Sequence, residues 1–152
     1  MEKGKPLKFI LSAVVVFVIL FGMVWVKAYL AGDAQYKAGE AAYGTGDMKN
    51  AISDYEAAIH MYTPFAPSVP KSATRLWEIG QGFERSGDYD WALIAFRSLR
   101  SSFYAVRSFY TPYPEWITRS EAEITAVLAA KKSAEPAPAP AAPAAEAAKP
   151  SK

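Results

Sequence analysis

The chain has 152 residues, with 17 Lys and Arg against 15 Asp and Glu, so its formal net charge is only +2. It contains no cysteine, which excludes disulfides, thiolate catalysis and sulfur-ligated metal sites. An apolar segment near the amino terminus and a low-complexity segment at the carboxyl terminus leave roughly a hundred residues for folding, so the chain has room for one small domain.

The apolar segment is an uncharged run over residues 9–26. As a helix it would be about 27 Å long, close to the thickness of a bilayer's hydrocarbon core. We therefore predict a transmembrane anchor over residues 9–28. A cleaved signal peptide is disfavoured because its apolar region is normally shorter and a cleavage site is absent where one would be expected. A buried soluble helix is disfavoured because so small a domain cannot cover an all-apolar helix.

The charges that flank this run predict its orientation. Lys3, Lys5 and Lys8 precede it, whereas only Lys27 follows it closely. The positive-inside bias therefore predicts a cytoplasmic amino terminus, residues 1–8, with everything after the anchor across the membrane. The predicted location is a bacterial inner membrane, crossed once, with a periplasmic domain.

Two stretches of the chain, 41 residues apart, share one layout of small, turn-forming and aromatic residues. The first copy contains Gly39, Gly46-Asp47, Ala51, Tyr55 and Ala58, and the second contains Gly80, Gly87-Asp88, Ala92, Phe96 and Leu99. In each copy a glycine lets two helices approach closely, Gly-Asp turns the chain, and an Ala-x-x-x-aromatic step forms a buried stripe. The layout predicts two helical hairpins.

Over about residues 32–100 this double layout resembles the tetratricopeptide repeat (TPR) family, whose members hold other proteins. The predicted fold class is all-α. A single N-terminal transmembrane helix precedes a TPR-like stack of hairpins over residues 29–132, which ends in a C-terminal capping helix. Residues 133–152 are nearly all Ala, Pro, Glu and Lys, so we expect a disordered tail that buries too little surface to offset its ordering entropy.

Periodicity and capping residues place the individual helices. Because no proline lies between residues 27 and 43, the membrane helix is expected to continue into the first repeat helix. Three prolines over residues 63–71 predict a stiff connection, with a polyproline docking ligand as the alternative. The other predicted helices cover residues 48–62, 72–86 with Ser72 as its N-cap, 89–108 and 115–130.

The resemblance also implies a partner-binding groove, lined by the outgoing helix of each hairpin. When the family's groove positions are transferred to this chain by their place in the repeat, the lining residues are Tyr36, Glu40, Tyr43, Trp77, Gln81 and Glu84. These aromatic and acidic side chains suit a basic or apolar segment of a partner protein.

A basic stripe on the fourth predicted helix contains Arg97, Arg100 and Arg107, with Tyr104 between them. Three arginines on a nearly neutral domain are too few for nucleic acid, so nucleic acid is not an expected partner. An anionic protein or a lipid headgroup fits the stripe better.

Nothing in the sequence points to an enzyme. His60 is the only histidine, so metal and haem sites have almost no ligands, and we expect no catalytic residue, metal or cofactor. The carboxylate pairs Glu78 with Glu84 and Asp88 with Asp90 are typical of solvated helices. Phosphate-binding loops and nucleophile elbows are absent from the sequence.

The leading functional hypothesis is a membrane-anchored TPR-like adapter that mediates protein–protein interaction in the bacterial cell envelope. The alternative is a small accessory subunit of a membrane complex, such as an energy-transducing motor, transporter or respiratory enzyme, docked through its transmembrane helix. A third hypothesis, an organelle import receptor with a cytosolic repeat domain, requires the opposite topology.

Overall fold

A computed structural model describes residues 5–135. In this part of the chain all regular secondary structure is α-helical, with no strand. The prediction of a helical fold is confirmed. The helices are α1 (Lys5–Gly44), α2 (Met48–His60), α3 (Ser68–Arg85), α4 (Tyr89–Ala105) and α5 (Pro114–Ala134). The predicted tail lies almost wholly outside the described residues, as does the start of the amino-terminal segment.

Helix α1 is 40 residues long and has two parts. Its apolar part, residues 9–26, is exposed along nearly its whole length, whereas the part from Tyr29 onward packs against the other helices. Within the described chain, α1 is the one helix long and apolar enough to cross a membrane. The expected continuation of the apolar helix into the first repeat helix is confirmed.

The two hairpins, α1/α2 and α3/α4, turn in the same way. Gly46 and Gly87 both have φ of +79°, a left-handed conformation that glycine adopts without a side-chain penalty. The aspartate after each glycine caps the returning helix, because Asp47 accepts a hydrogen bond from the amide of Asn50 and Asp88 from that of Trp91. Both predicted Gly-Asp turns are therefore confirmed at the predicted positions.

Each hairpin is held together by an aromatic ring against a glycine. A methyl group on Gly39 would lie 2.7 Å from the Tyr55 ring, and one on Gly80 would lie 2.6 Å from the Phe96 ring. Real Cβ atoms do not approach so closely, so neither position has room for a side chain. The two glycines allow the helices of each hairpin to pack at short range.

Because consecutive helices are antiparallel, their connections lie at two opposite ends of the bundle. The Gly-Asp turns form the distal end, farthest from the apolar part of α1. The connections 61–67 and 106–113 form the proximal end, nearest to it, and Gly32 of α1 lies against Met61 and Ser68 there.

The core lies mainly between α2, α3 and α4, with α5 packed along α4. The predicted buried stripes of α2 and α4 are confirmed, since both repeat aromatic residues, Tyr55 and Phe96, are fully buried. In α5, Ile124 and Val127 are buried as expected, but Leu128 is 43% exposed, so its assignment to the core is wrong.

Helix α3 begins earlier than predicted, at Ser68, and Ser72 is not its N-cap. Pro70 lies in the first turn of α3, where an amide hydrogen has no partner within the helix and proline is tolerated. Ser72 is fully buried inside the helix and its hydroxyl has no hydrogen-bond partner. The connection before α3 is correspondingly shorter than predicted.

The last two helices also differ from their predicted bounds. Helix α4 ends at Ala105 rather than Ser108, whose backbone amide instead bonds to the carbonyl of Tyr110 at 3.2 Å. Helix α5 extends to Ala134, four residues beyond the predicted end, because its alanines and lysines are good helix formers.

The ring-on-glycine contact can be tested on one helix. Gly80→Ala should lower the free energy of unfolding by about 1–3 kcal/mol through overpacking against Phe96. Gly82→Ala is the matched control, since open space surrounds Gly82, and it should raise stability by up to about 1 kcal/mol through better helix propensity. Denaturant unfolding of the full chain in detergent measures both. Equal stabilities of the two variants would contradict the close approach.

Candidate functional site

An open trough runs between the packed part of α1 and helix α3. Its wider half, near the proximal end, encloses about 420 Å³, and its narrower half, towards the distal end, about 200 Å³. Glu78 borders both halves. We call this feature the α1/α3 trough; its other lining residues include Tyr36, Lys71 and Arg75 in the wide half and Tyr43, Met48 and Phe83 in the narrow half.

The trough has a hydrogen-bonded centre that joins α1 to α3. The guanidinium of Arg75 makes two hydrogen bonds to Glu40, from Nε to Oε1 at 2.7 Å and from Nη2 to Oε2 at 2.9 Å. Its Nη1 donates to Glu78 Oε2 at 2.9 Å, and its guanidinium carbon lies 5.5 Å from the centre of the Tyr43 ring. A two-pronged arginine–carboxylate pair fixes both position and orientation.

Glu40 also connects α1 to α2. The hydroxyl of Tyr55, whose ring packs on Gly39, donates to Glu40 Oε1 at 2.7 Å. Hydrogen bonds from Arg75 lower the pKa of Glu40, and burial raises the pKa of Tyr55. Near neutral pH Glu40 is therefore an acceptor-only carboxylate and Tyr55 a phenol that donates to it, so one carboxylate holds three helices together.

The formal charges of the trough sum to zero, because two cations, Lys71 and Arg75, accompany two carboxylates, Glu40 and Glu78. Lys71 Nζ lies 5.8 Å from the centre of the Tyr36 ring, and among residues 5–135 no carboxylate lies within 4.0 Å of it. Arg75, by contrast, is fully engaged by Glu40 and Glu78. Lys71 is thus exposed and unpaired within the described chain, and the acidic character expected from Glu40 is offset by Arg75.

Only half of the predicted groove lies in this trough. Tyr36 and Tyr43 line it, and Glu40 forms its centre. Trp77 and Glu84 lie on the other side of α3, at its junction with α5. Gln81 is on the same helical face by its spacing of four and three residues.

Trp77 is enclosed by aromatic and cationic groups at that junction. Its ring centre lies 5.1 Å from that of Phe96 and 6.0 Å from that of Trp116. The guanidinium of Arg119 lies 4.5 Å from the Trp77 ring and 4.7 Å from the Trp116 ring. These contacts join α3 to α5, so Trp77 performs a packing role in this structure.

Glu84 faces Glu123 of α5 across the same junction. Burial and the nearby Glu84 both raise the pKa of Glu123, while Arg119 lowers it. A proton on Glu123 allows a hydrogen bond between the two carboxyl groups, whereas two carboxylates repel each other.

The predicted basic stripe lies on the opposite surface, formed by α4. Arg97 and Arg107 are exposed and Arg100 is half-buried. Arg107 lies beyond the end of α4, and its guanidinium is 5.6 Å from the centre of the Tyr104 ring. Tyr104 in turn donates to Glu121 of α5 at 2.9 Å. The stripe therefore does not contribute to the α1/α3 trough.

Sequence reasoning missed the α3 side of the trough. Lys71, Arg75 and Glu78 are spaced by four and three residues, which places them on one helical face. That spacing was visible in the sequence, but pairing of Arg75 with Glu40, 35 residues away, had no local signal. Within the described range no three His, Cys, Asp or Glu side chains are grouped as metal ligands, and His60 is exposed on α2.

Comparisons of the chain with protein-family models, curated proteins and solved structures find no match.

The carboxyl pair at the α3/α5 junction predicts a pH-dependent stability. The folded-state pKa of Glu123 is raised, so its ionised form lowers stability above that pKa, and this loss disappears as the pH falls below it. Glu123→Gln should therefore raise the free energy of unfolding by about 0.5 kcal/mol at pH 7.5 and give less advantage near pH 4.

Chemical denaturation of the full chain in detergent at both pH values measures this difference. Glu121→Gln is the matched control on the same helix, because glutamine retains an acceptor for Tyr104 and no carboxyl pair is removed. A Glu123→Gln advantage that is unchanged or larger at low pH would contradict the assignment.

Proposed function

We propose that the protein is a single-pass, membrane-anchored adapter of TPR-like architecture, whose α1/α3 trough binds an extended, apolar-rich segment of a partner protein in the bacterial cell envelope. The observation that carries the proposal is that the polar groups at the centre of the trough are already hydrogen-bonded to one another. Glu40, Arg75 and the Tyr55 hydroxyl already satisfy one another. What remains available to a ligand is therefore aromatic and aliphatic surface, together with Lys71 and the half-exposed carboxylate of Glu78.

This arrangement has the features of a peptide-binding surface. A floor fixed by hydrogen bonds loses little further freedom on binding, so less of the interaction energy is spent on ordering it. Half-buried tyrosine side chains offer large contact areas with few rotatable bonds. Tyr36 and Tyr43 are such residues, about two helical turns apart on α1.

The TPR-like part of the proposal is supported by the repeated geometry of the two hairpins. Both have a +79° glycine, an aspartate cap and a ring packed on a glycine, always 41 residues apart. Stacked hairpins of this kind present their outgoing helices side by side, which is where the trough lies. The periplasmic placement is supported by the excess of lysine before the apolar run.

The trough can be tested with a double variant, Tyr43→Ser with Lys71→Glu. Removing one aromatic contact and reversing the accessible charge should weaken partner binding by at least tenfold, or about 1.4 kcal/mol. Affinity purification of the tagged full chain from its native membranes identifies the partner. Titration of that purified partner then gives the dissociation constants of wild type and variant.

Tyr104→Ser with Arg97→Glu is the matched control, because it makes the same changes on the opposite surface. It should alter the dissociation constant by less than about twofold. Equal affinities of wild type and trough variant, with both folded by circular dichroism, would exclude the trough as the binding site.

A second candidate function, the accessory subunit, is favoured by the shape of the apolar part of α1. Ser12 and Ala13 border one shallow depression on its surface and Gly22 borders another. Small residues allow close packing of a second transmembrane helix. Replacing residues 9–26 by an unrelated apolar helix tests this candidate. Loss of the complex in native membranes would support it, whereas retained assembly would favour the trough.

A further inference from the structure

The proximal end of the bundle exposes two phenylalanine side chains almost completely to solvent. Phe65, in the connection 61–67, is 97% exposed, and Phe109, in the connection 106–113, is fully exposed. Tyr110 beside it is 55% exposed. Phe65 also has a φ of 68°, a conformation that is unfavourable for a bulky side chain. Two phenylalanines exposed to water at the same end of a small domain indicate that this end contacts an apolar partner.

We propose that this proximal end sits in the interfacial layer of the same bilayer that α1 crosses, with Phe65 and Phe109 inserted among the lipids. The inference rests on the proposed membrane anchor, but not on the trough. It adds a lipid-binding surface to a domain that would otherwise be attached by one helix alone.

The two connections form a single surface. The hydroxyls of Tyr62 and Tyr110 lie 2.7 Å apart and share a hydrogen bond, and their ring centres are 6.5 Å apart. The segment that carries Phe65 and the segment that carries Phe109 are therefore held side by side. Because the two connections are already held together, their contact with a lipid layer does not require them to be brought together first.

The continuous α1 helix sets the height of this surface above the apolar run. Tyr29, which packs against the core, lies only three residues beyond Val26, or about 4.5 Å along the helix. Gly32, which lies against Met61, is about 9 Å beyond Val26. The polar layer on each side of the hydrocarbon core is about 5–7 Å thick. Tyr29 therefore lies within that layer and the contact of Gly32 with Met61 lies just beyond it, which puts the proximal connections at the boundary between the layer and water.

The composition of the two ends is opposite. The proximal connections contain five aromatic residues and three prolines, and Arg107 is their one charged residue. Aromatic side chains are enriched where a membrane meets water. The distal turns instead contain Asp47 and Asp88 with glycine and polar neighbours. Turn geometry and capping account for the glycines and aspartates of the distal end. The exposed Phe65 and Phe109 of the proximal end have no such role within the described chain, whereas a membrane surface accounts for them.

The lipid environment of both phenylalanines can be measured directly, because the chain has no cysteine of its own. Single-cysteine variants Phe65→Cys and Phe109→Cys of the full chain carry a nitroxide label in nanodiscs of phosphatidylcholine and phosphatidylglycerol. Electron paramagnetic resonance then compares collisions with oxygen, which partitions into lipid, and with a water-soluble nickel chelate. Lys49→Cys near the distal end is the aqueous control, and Phe17→Cys within the apolar run is the lipid control.

We expect the oxygen-to-nickel ratio at positions 65 and 109 to exceed that at 49 severalfold, and to remain below that at 17. A ratio at positions 65 and 109 equal to that at position 49, with position 17 in lipid, would overturn the inference without contradicting the membrane anchor. Low accessibility to both reagents at 65 and 109 would also overturn it, since a second copy or another protein would then cover the surface. A water-like ratio at 17 would refute the anchor itself.

A second label position keeps both phenylalanines in place. Ser108→Cys lies beside Phe109 and is exposed. Its oxygen-to-nickel ratio should be high in the otherwise unchanged chain and should fall severalfold when Phe65→Asp and Phe109→Asp are added. An unchanged ratio would show that the two rings do not hold the connection at the membrane.

Discussion

The packing of an aromatic ring on a glycine is the contact on which the rest of this bundle depends. Where Tyr55 covers Gly39, the absence of a side chain brings α2 close enough for the tyrosine hydroxyl to reach Glu40 on α1. Glu40 in turn binds Arg75 of α3, so the distance between two helices determines how the third one is attached. A bulkier residue at Gly39 would displace Tyr55 and with it the polar centre of the trough.

The same contact has a different outcome in the second hairpin, because Phe96 has no hydroxyl to donate. Its ring packs on Gly80 as Tyr55 does on Gly39, but the neighbouring contacts are aromatic, from Trp77 and onward to Trp116 and Arg119. The Tyr55 hydroxyl contributes to the polar centre of the trough on one side of α3, whereas the Phe96 ring contributes to the aromatic junction on its other side. The two hairpins share a backbone geometry and differ in the surfaces they provide.

The parts of this fold that the sequence predicts are those decided by neighbouring residues. A Gly-Asp turn, its cap and the Ala-x-x-x-aromatic stripe depend on residues within one hairpin, and the structure has each of them at Gly46, Asp47 and Tyr55 and at their counterparts in the second hairpin. The predicted start of α3 is wrong because a proline breaks a helix in its interior but not in its first turn, where Pro70 lies.

The candidate site was only half predicted, because its other half depends on contacts between distant segments. Its position in the repeat layout places Trp77 in the predicted groove. No residue close to Trp77 in the sequence indicates that Trp116 and Arg119 pack against it. Likewise, Glu40 looked like a free acid because the partner that neutralises it lies on another helix. Long-range pairing of charges changes the chemistry of a surface without changing the helices that form it.

The two proposals together give the trough a defined direction. Its wide half begins at Pro67 and Pro70 near the proximal end, and its narrow half ends near Met48 at the distal end. If the proximal end rests on the bilayer, the wide mouth opens at the membrane surface and the trough runs away from it. A segment that emerges from a neighbouring membrane protein would then enter beside Lys71, with its own anchor next to α1. Trough and apolar helix would contact the same partner, and the short distance between them would raise its effective concentration at both surfaces.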